Sequence, residues 1–162
     1  MKTAGRGNWS IAVHGGAGSM ERATTDPAQD RTARAGLSAA LEAAIAILQT
    51  GGHALDAVEA AVRVLEDDTQ FNAGRGSVFT AEGRIECDAA IMEGNNRMAG
   101  AVAGVRSTRN PIVLARAVME QSPHVFLAGS GADGFARAFG IEAASRDWFE
   151  TAERRRQQAV QL

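Results

Sequence analysis

The sequence predicts an α+β fold in which helices cover an antiparallel sheet. Three observations carry this prediction: a short β-prone run near the start, two long helical patterns after it, and then consecutive strand-like runs joined by short turns. Consecutive strands with short turns pair antiparallel, whereas a doubly wound fold needs a regular alternation of strands and helices. A chain of 162 residues, of which 45% are apolar, suits one domain with one core.

The first elements are expected to be one strand and two helices. Residues 9–13 form a β-prone run that glycines stop, and residues 19–29 are polar and predict a loop. Apolar residues recur in steps of three and four over residues 30–50, and a glycine pair follows, as at a helix end. A second helix fits residues 54–67. Leu55, Val58, Val62 and Leu65 form one apolar stripe on it, and Ala54, Ala57 and Ala61 form a second beside the first.

The second half of the chain is expected to form a meander and further helices. The strand-like runs of the meander are residues 77–80, 84–94 and 98–107, and residues 124–130 form a further strand-like run after a helix. The helical patterns of this half are residues 110–122, which open with Pro111, and then 131–140 and 147–162.

Composition excludes several classes of function. The net charge is −2, so nothing attracts the whole chain to nucleic acid or to an anionic membrane. No run approaches a membrane span and the first residues lack the apolar stretch of a signal peptide, so no membrane association is expected. The three arginines from Arg154 to Arg156 favour a solvated helix face over a nucleic-acid contact. A single cysteine, Cys87, precludes an internal disulfide and favours the cytoplasm.

Two stretches invite a functional interpretation from the residues alone. The motif "HGGAGS", which begins with His14, Gly15 and Gly16, lacks the lysine of a phosphate loop and does not open directly into a helix. Two interpretations of this motif remain: a tight turn at the end of a strand, or a flexible loop beside an active site. Glu82, Glu86, Asp88 and Glu93 form a loose carboxylate group without the spacing of an acid/base pair, and the acids beside Cys87 favour a buried thiol over a nucleophile. These residues supply no complete catalytic set.

Four stretches taken together resemble a known family. They are "IAVHGGAG", "ALDAVEAAVRVLEDDTQFNAGRGSVF", "CDAAIMEGNNRMAGAVAGV" and "NPIVLARAVMEQSPHVFLAGSGADGFA". They are similar to the α subunit of the plant-type L-asparaginases, also called isoaspartyl or β-aspartyl peptidases, which are N-terminal nucleophile hydrolases. "FNAGRGSVF" and "VMEQSPHV" are the most specific pieces.

The resemblance implies a four-layer αββα sandwich, of which this chain is the N-terminal half. Residues 1–8 would be a tail, 9–143 the α-subunit part of the sandwich, and 144–162 a C-terminal helix leading to a linker. In the family the precursor cuts itself before a threonine, and the new N-terminal threonine of the β subunit attacks L-asparagine or a β-aspartyl dipeptide to release L-aspartate. The implied partners are therefore a β subunit from the same precursor, in an (αβ)2 assembly, and a small-molecule substrate.

The chain departs from the family pattern because it contains no Gly-Thr pair, so the nucleophile is not in it. The family's substrate-binding residues also belong to the β subunit. The alternative is therefore a non-catalytic α-like interaction module. An α chain taken alone is expected to expose the apolar strand residues Ala89, Ile91, Val102 and Val105.

The resemblance also assigns the loop that follows the second helix. It implies a structural sodium ion bound by the main-chain carbonyls of Leu65, Glu66, Asp68, Phe71, Ala73 and Arg75, and no catalytic cofactor. Backbone oxygens suit such a hard cation, and side-chain identity would then matter little. Asn72 is implied to lie near the nucleophile, where its amide could hold the threonine; the competing interpretation is a local turn cap. His14, Gly15 and Gly16 are implied to form a loop near the active site.

Overall fold

The computed structural model describes residues 8–16 and 25–161. Most of the predicted tail, and residues 19–24 of the predicted loop, lie outside these ranges. The described elements are helices α1 (Pro27–Gln49), α2 (Ala54–Asp67), α3 (Pro111–Gln121), α4 (Gly129–Ala138), α5 (Arg146–Phe149) and α6 (Ala152–Gln161), a 3-10 turn (Gly74–Gly76), and strands β1 (Cys87–Met92), β2 (Ala99–Val105) and β3 (Phe126–Ala128). No helix in the described part of the chain is both long and apolar enough to cross a membrane.

Helices α1 and α2 form a hairpin whose contact surface is made of small residues. α1 begins three residues before the predicted position because the Asp26 side chain accepts a hydrogen bond from the Ala28 amide and Pro27 occupies the first turn. Ala40, Ala44, Ala57 and Ala61 are all buried between the helices. The second predicted stripe on α2 is buried at Ala57 and Ala61, whereas Val58 of the first is 43% exposed. The alanine face is the one that packs, because alanine lets two helix backbones approach closely.

The sheet has the order β1-β2-β3 and mixed direction. β1 and β2 pair antiparallel, as predicted, with Ile91 opposite Gly100. β3 pairs parallel to β2, so the prediction of an antiparallel sheet is wrong at this strand. The reason is that α3 lies between β2 and β3 and returns the chain to the end of the sheet where β2 began.

Two predicted strands are absent. Residues 9–13 lie in no helix or strand, and their inward residues Ile11 and Val13 pack on the α1–α2 cluster instead. Residues 77–80 contribute one isolated bridge, Phe79 to Ile85. The Thr80 carbonyl there accepts a side-chain hydrogen bond from α6 and a backbone bond from Gly83, so it is not used in a strand ladder.

Among the described residues, helices cover one face of the sheet and nothing packs on the large side chains of the other. α3 packs so closely on β2 that a Cβ at Gly100 would collide with the backbone of Ala115 and Met119. The prediction that Ile91, Val102 and Val105 are exposed is therefore wrong, because this face carries the main core; Ala89 is half-buried on it. The exposed apolar residues on the opposite side include Ala90, Met92, Phe126 and Ala128.

The C-terminal region is two helices where the sequence predicted one. α5 ends at Phe149, whose side chain is buried in the main core, and α6 begins at Ala152. At the break, the nearly buried Glu150 carboxylate accepts hydrogen bonds from Arg146 and Arg155. An ion pair that joins the two helices thus takes the place of a continuous helix.

Candidate functional site

The loop after α2 is a compact turn closed by its own backbone and side chains. The Asp68 side chain accepts a hydrogen bond from the Gln70 amide at 2.9 Å, which starts the turn. The 3-10 turn Gly74–Gly76 follows, and the Ser77 amide donates to the Gly74 carbonyl at 3.2 Å. These bonds define what we call the glycine turn, residues 68–78.

The space around Gly74 and Gly76 leaves no room for a side chain, so this turn requires glycine at both positions. Gly74 has φ of 47°, a left-handed conformation that side chains with a Cβ rarely adopt, and a Cβ there would collide with the Glu66 carbonyl oxygen. A Cβ at Gly76 would lie 2.9 Å from the Thr69 carbonyl oxygen and still closer to that of Phe71. The turn is therefore folded tightly onto the end of α2.

Phe71 anchors the glycine turn, and the segment His14–Gly16 lies beside it. Its side chain is 6% exposed and packs between Gly15 and Gly36, since a Cβ at either glycine would lie 2.7 Å from a carbon of the Phe71 ring. His14 is exposed, and its Nδ1 accepts a hydrogen bond from the Gly16 amide at 3.3 Å. The structure thus brings together the His14–Gly16 segment and the glycine turn, which are far apart in sequence.

Asn72 lies at the exposed rim of the turn. Its Oδ1 accepts a hydrogen bond from the Val78 amide at 3.0 Å, which ties the two ends of the turn together. Its Nδ2 donates to no side chain or backbone group in the described residues. Asn72 therefore caps the turn with its acceptor, and its donors are not used within the turn.

Glu66 has a side-chain role that the sequence did not reveal. The residue is 2% exposed, and its Oε1 accepts a hydrogen bond from the Ile112 amide at 2.9 Å, at the start of α3. Its Oε2 has no hydrogen-bond partner in the described part of the chain. Burial raises the pKa of this carboxyl to about 7, against the opposing effect of the Ile112 hydrogen bond. Glu66 thus joins the end of α2 to the start of α3.

The two functions of Glu66 predict different effects for two substitutions. Glu66→Gln keeps an oxygen for the Ile112 amide and resembles the neutral acid favoured by the raised pKa, so we expect nearly unchanged stability. Glu66→Ala leaves the buried amide unpaired and opens a cavity, and we expect a loss of about 3 kcal/mol in the free energy of unfolding. Urea denaturation of the full-length protein measures both. Equal destabilisation by Gln and Ala would contradict this assignment.

Main-chain oxygens gather around the end of α2. The helix ends at Asp67, so the carbonyls of Leu65 and Glu66 lie in its last turn, where no later residue of the helix donates to them. The last turn carries no basic side chain that would offset the negative end of the helix dipole.

Two further carbonyls of the predicted sodium site belong to the turn itself. Those of Asp68 and Ala73 each accept one backbone hydrogen bond, from the amides of Phe71 and Gly76, which leaves each a second lone pair. Oxygens of this kind fit a hard monovalent cation. By contrast, no group of three or more His, Cys, Asp or Glu side chains within the described residues could hold a metal ion.

The remaining candidate residues have structural partners. The Cys87 thiol is buried against Ser77 Oγ, and burial raises its pKa, with Asp88 acting in the same direction, as expected of an inert thiol. Glu86 pairs with Arg106, and Asp88 accepts a hydrogen bond from the Gly104 amide at 2.8 Å. Glu86 and Asp88 of the loose carboxylate group thus make structural contacts.

The C-terminal helices contact the glycine turn directly, which the sequence did not predict. Arg154 Nε donates to the Gly76 carbonyl at 2.6 Å, and the Arg75 guanidinium lies 4.5 Å from the centre of the Trp148 ring. Arg155 and Arg156 are exposed, as expected of a solvated helix face, but Arg154 is half-buried. Because Arg154 stands in a run of three arginines, the sequence does not distinguish it from its exposed neighbours.

Comparison with known proteins identifies the family of the chain. The family described as "Asparaginase" matches residues 7–161. The chain belongs to this asparaginase family. It is 49% identical over 144 residues to the "Isoaspartyl peptidase" of Escherichia coli strain K12, an alignment that covers 89% of this chain and 45% of that protein.

Other relatives carry related names. The chain is 44% identical to the "Probable isoaspartyl peptidase/L-asparaginase 2" of Arabidopsis thaliana, over 90% of this chain and 44% of that protein. It is 46% identical to the "Plant-type L-asparaginase" of Pyrococcus furiosus, over 94% of this chain and 47% of that protein. Peptidases and asparaginases are both hydrolases. The chain thus spans less than half the length of these curated relatives.

Proposed function

We propose that this chain is the α half of an amidohydrolase that converts L-asparagine and β-aspartyl dipeptides to L-aspartate. The observation that carries the proposal is the family match over residues 7–161, together with 49% identity to a protein named as an isoaspartyl peptidase. The nucleophile is proposed to be a threonine at the N-terminus of a β subunit, which the precursor creates by cutting itself. The threonine's own amine acts as its base.

The open face of the sheet supports a partner from the same precursor. β1 to β3 are covered by α3 on one side, while Met92 and Phe126 are 61% and 56% exposed on the other. Large apolar side chains on an uncovered sheet are unusual for a protein that works alone. We propose that a second sheet, from the β subunit, packs on this face to complete a four-layer αββα sandwich, and that two such pairs form (αβ)2.

In this proposal the residues of the present chain position the reaction. The threonine oxygen attacks the side-chain amide carbonyl of asparagine, or the isopeptide carbonyl of a β-aspartyl dipeptide. Ammonia or the second amino acid leaves, and water then releases L-aspartate. Asn72 presents its Nδ2 donors toward the nucleophile, and the His14–Gly16 segment borders the same space. The cytoplasm is the compartment we propose, which fits a chain whose one cysteine is free.

The activity is tested with the full-length reading frame. Purified protein is incubated with a β-aspartyl dipeptide and with L-asparagine, and released L-aspartate is measured. The control is a variant in which the proposed nucleophilic threonine is replaced by alanine. Aspartate release that disappears in this variant supports the proposal. If the wild type forms a stable complex but hydrolyses neither substrate, the chain is instead a non-catalytic interaction module.

Two substitutions at Asn72 separate its two roles. Asn72→Asp keeps the oxygen that accepts from Val78 but removes the Nδ2 donors, so we expect an unchanged melting temperature and about tenfold slower turnover, as for one lost hydrogen bond. Asn72→Ala removes both, and we expect slow turnover together with a lower melting temperature. Melting curves and hydrolysis of a β-aspartyl dipeptide measure the two effects. Wild-type turnover in Asn72→Asp would mean that Asn72 only caps the turn.

We further propose that a sodium ion binds the main-chain carbonyls of Leu65, Glu66, Asp68, Phe71, Ala73 and Arg75. Its role is structural, because it would hold the glycine turn against the end of α2. Replacing sodium by a large organic cation should lower the melting temperature by a few degrees, since a ligand of the folded state stabilises it by mass action. EDTA should have no effect. Complete indifference to sodium, or inactivation by EDTA, would overturn this assignment.

A further inference from the structure

The C-terminal helices α5 and α6 make several separate contacts with the segment that contains the glycine turn. Arg154 Nε donates to the Gly76 carbonyl at 2.6 Å. Gln158 donates to the Thr80 carbonyl at 3.4 Å, and Arg146 donates to the Gly83 carbonyl at 3.0 Å. Of these three carbonyls, that of Thr80 belongs to the strand predicted at residues 77–80, and those of Gly76 and Gly83 lie on either side of it.

An aromatic contact holds the same turn from a second direction. The guanidinium carbons of Arg75, in the turn, and of Arg109, before α3, each lie 4.5 Å from the centre of the Trp148 ring. Arg109 is itself fixed by ion pairs with Asp67 at 3.2 Å and Glu142 at 2.8 Å. Trp148 therefore links the Arg75 side chain of the turn to Arg109, which its ion pairs hold in place.

We infer that Arg154 and Trp148 are positioning residues for Asn72, acting through the glycine turn. The path is short: Gly76 is followed by Ser77 and then by Val78, whose amide donates to Asn72 Oδ1. On the other side, Gly74 lies directly against the carbonyl of Glu66 in the last turn of α2, so closely that a Cβ would collide with it. The turn is thus held between α2 and α6. The position of Asn72 matters for turnover only if the proposed function is correct, but the physical link does not depend on it.

The helix α6 offers a matched control for this inference. Arg156 lies on the same helix and carries the same charge, but its side chain is 74% exposed and pairs with Glu153. Arg154→Leu and Arg156→Leu therefore change charge and size equally, and only the first removes a donor to the turn. Arg154→Lys keeps a cationic donor that can reach the Gly76 carbonyl and serves as the conservative variant.

The test is amide hydrogen exchange in the full-length protein, read at Ser77 and Val78. We expect exchange at both amides to be about tenfold faster in Arg154→Leu, since a charge-assisted hydrogen bond to the turn is lost. Arg156→Leu should match the wild type, and Arg154→Lys should restore most of the protection. Trp148→Leu should speed exchange in the same segment, which keeps the inference testable if Arg154→Leu folds poorly. Equal exchange in the Arg154 and Arg156 variants would overturn it.

A second measurement links the turn to the reaction. If the proposed hydrolysis is observed, Arg154→Leu should lower kcat while KM stays close to the wild type, because the substrate-binding residues are expected in the β subunit. A change in KM alone would contradict a role in positioning Asn72. The two failures are distinguishable: absence of hydrolysis in the wild type sinks the proposed function, while unchanged exchange in Arg154→Leu and Trp148→Leu sinks this inference alone.

Discussion

Gly74→Val is expected to abolish activity and to destabilise the protein by about 4 kcal/mol. This figure adds the cost of a strained backbone to the cost of an overpacked contact. Gly74 has φ of 47°, and a β-branched residue resists this conformation. Its side chain would also collide with the carbonyl of Glu66. The turn would have to unfold to admit it, and Asn72 would then lose its position.

Gly94→Val is the matched control for this prediction. A Cβ at Gly94 meets nothing within 4 Å, and the residue lies in an exposed turn between β1 and β2. We therefore expect a change in stability of less than about 1 kcal/mol, as for a surface position away from special contacts. Thermal melts and hydrolysis assays of both variants decide the matter. Similar losses in the two variants would mean that the glycine turn has no special role.

The second large effect is expected when residues 1–162 are produced alone. Met92 and Phe126 would remain exposed on the open face of the sheet, and the outer strands β1 and β3 would offer unpaired edges. We expect this chain to elute as aggregates and to melt without a cooperative transition. Size-exclusion chromatography and a thermal melt test this, and a sharp monomer with cooperative melting would contradict it.

One double variant is expected to have opposite effects on the isolated chain and on the full-length protein. Met92→Asp combined with Phe126→Asp should increase the soluble fraction of the isolated chain, because it removes the apolar patch. In the full-length protein the same variant should prevent assembly, since it would bury two charges without partners. Improved behaviour in both contexts would mean that nothing packs on this face.

The helices were the most predictable part of the fold, because their signals are local. The apolar spacing and the glycine pair gave the extent of α2 correctly and that of α1 within three residues. The strands were harder, because a strand needs a partner that the local sequence does not identify. The β-prone run at residues 9–13 finds no such partner in the described part of the chain, and the parallel addition of β3 depends on the path of α3.

The candidate site was predictable only where whole motifs resemble a family. That resemblance singled out His14–Gly16 and Asn72, and the structure brings their segments together through the Phe71 ring. The roles of Glu66 and Arg154 could not be predicted, because a buried carboxylate and an inward-facing arginine look like surface charges in a sequence. Their partners, the Ile112 amide and the Gly76 carbonyl, are backbone groups that carry no sequence signal.

The central claim is that this chain is one half of a self-processing hydrolase. The most direct measurement is the intact mass and N-terminal sequence of the protein purified from the full-length reading frame. We predict two chains that co-purify, one of which contains the present sequence, while the other begins with threonine. A single uncut chain, or a second chain that begins with another residue, would contradict the account.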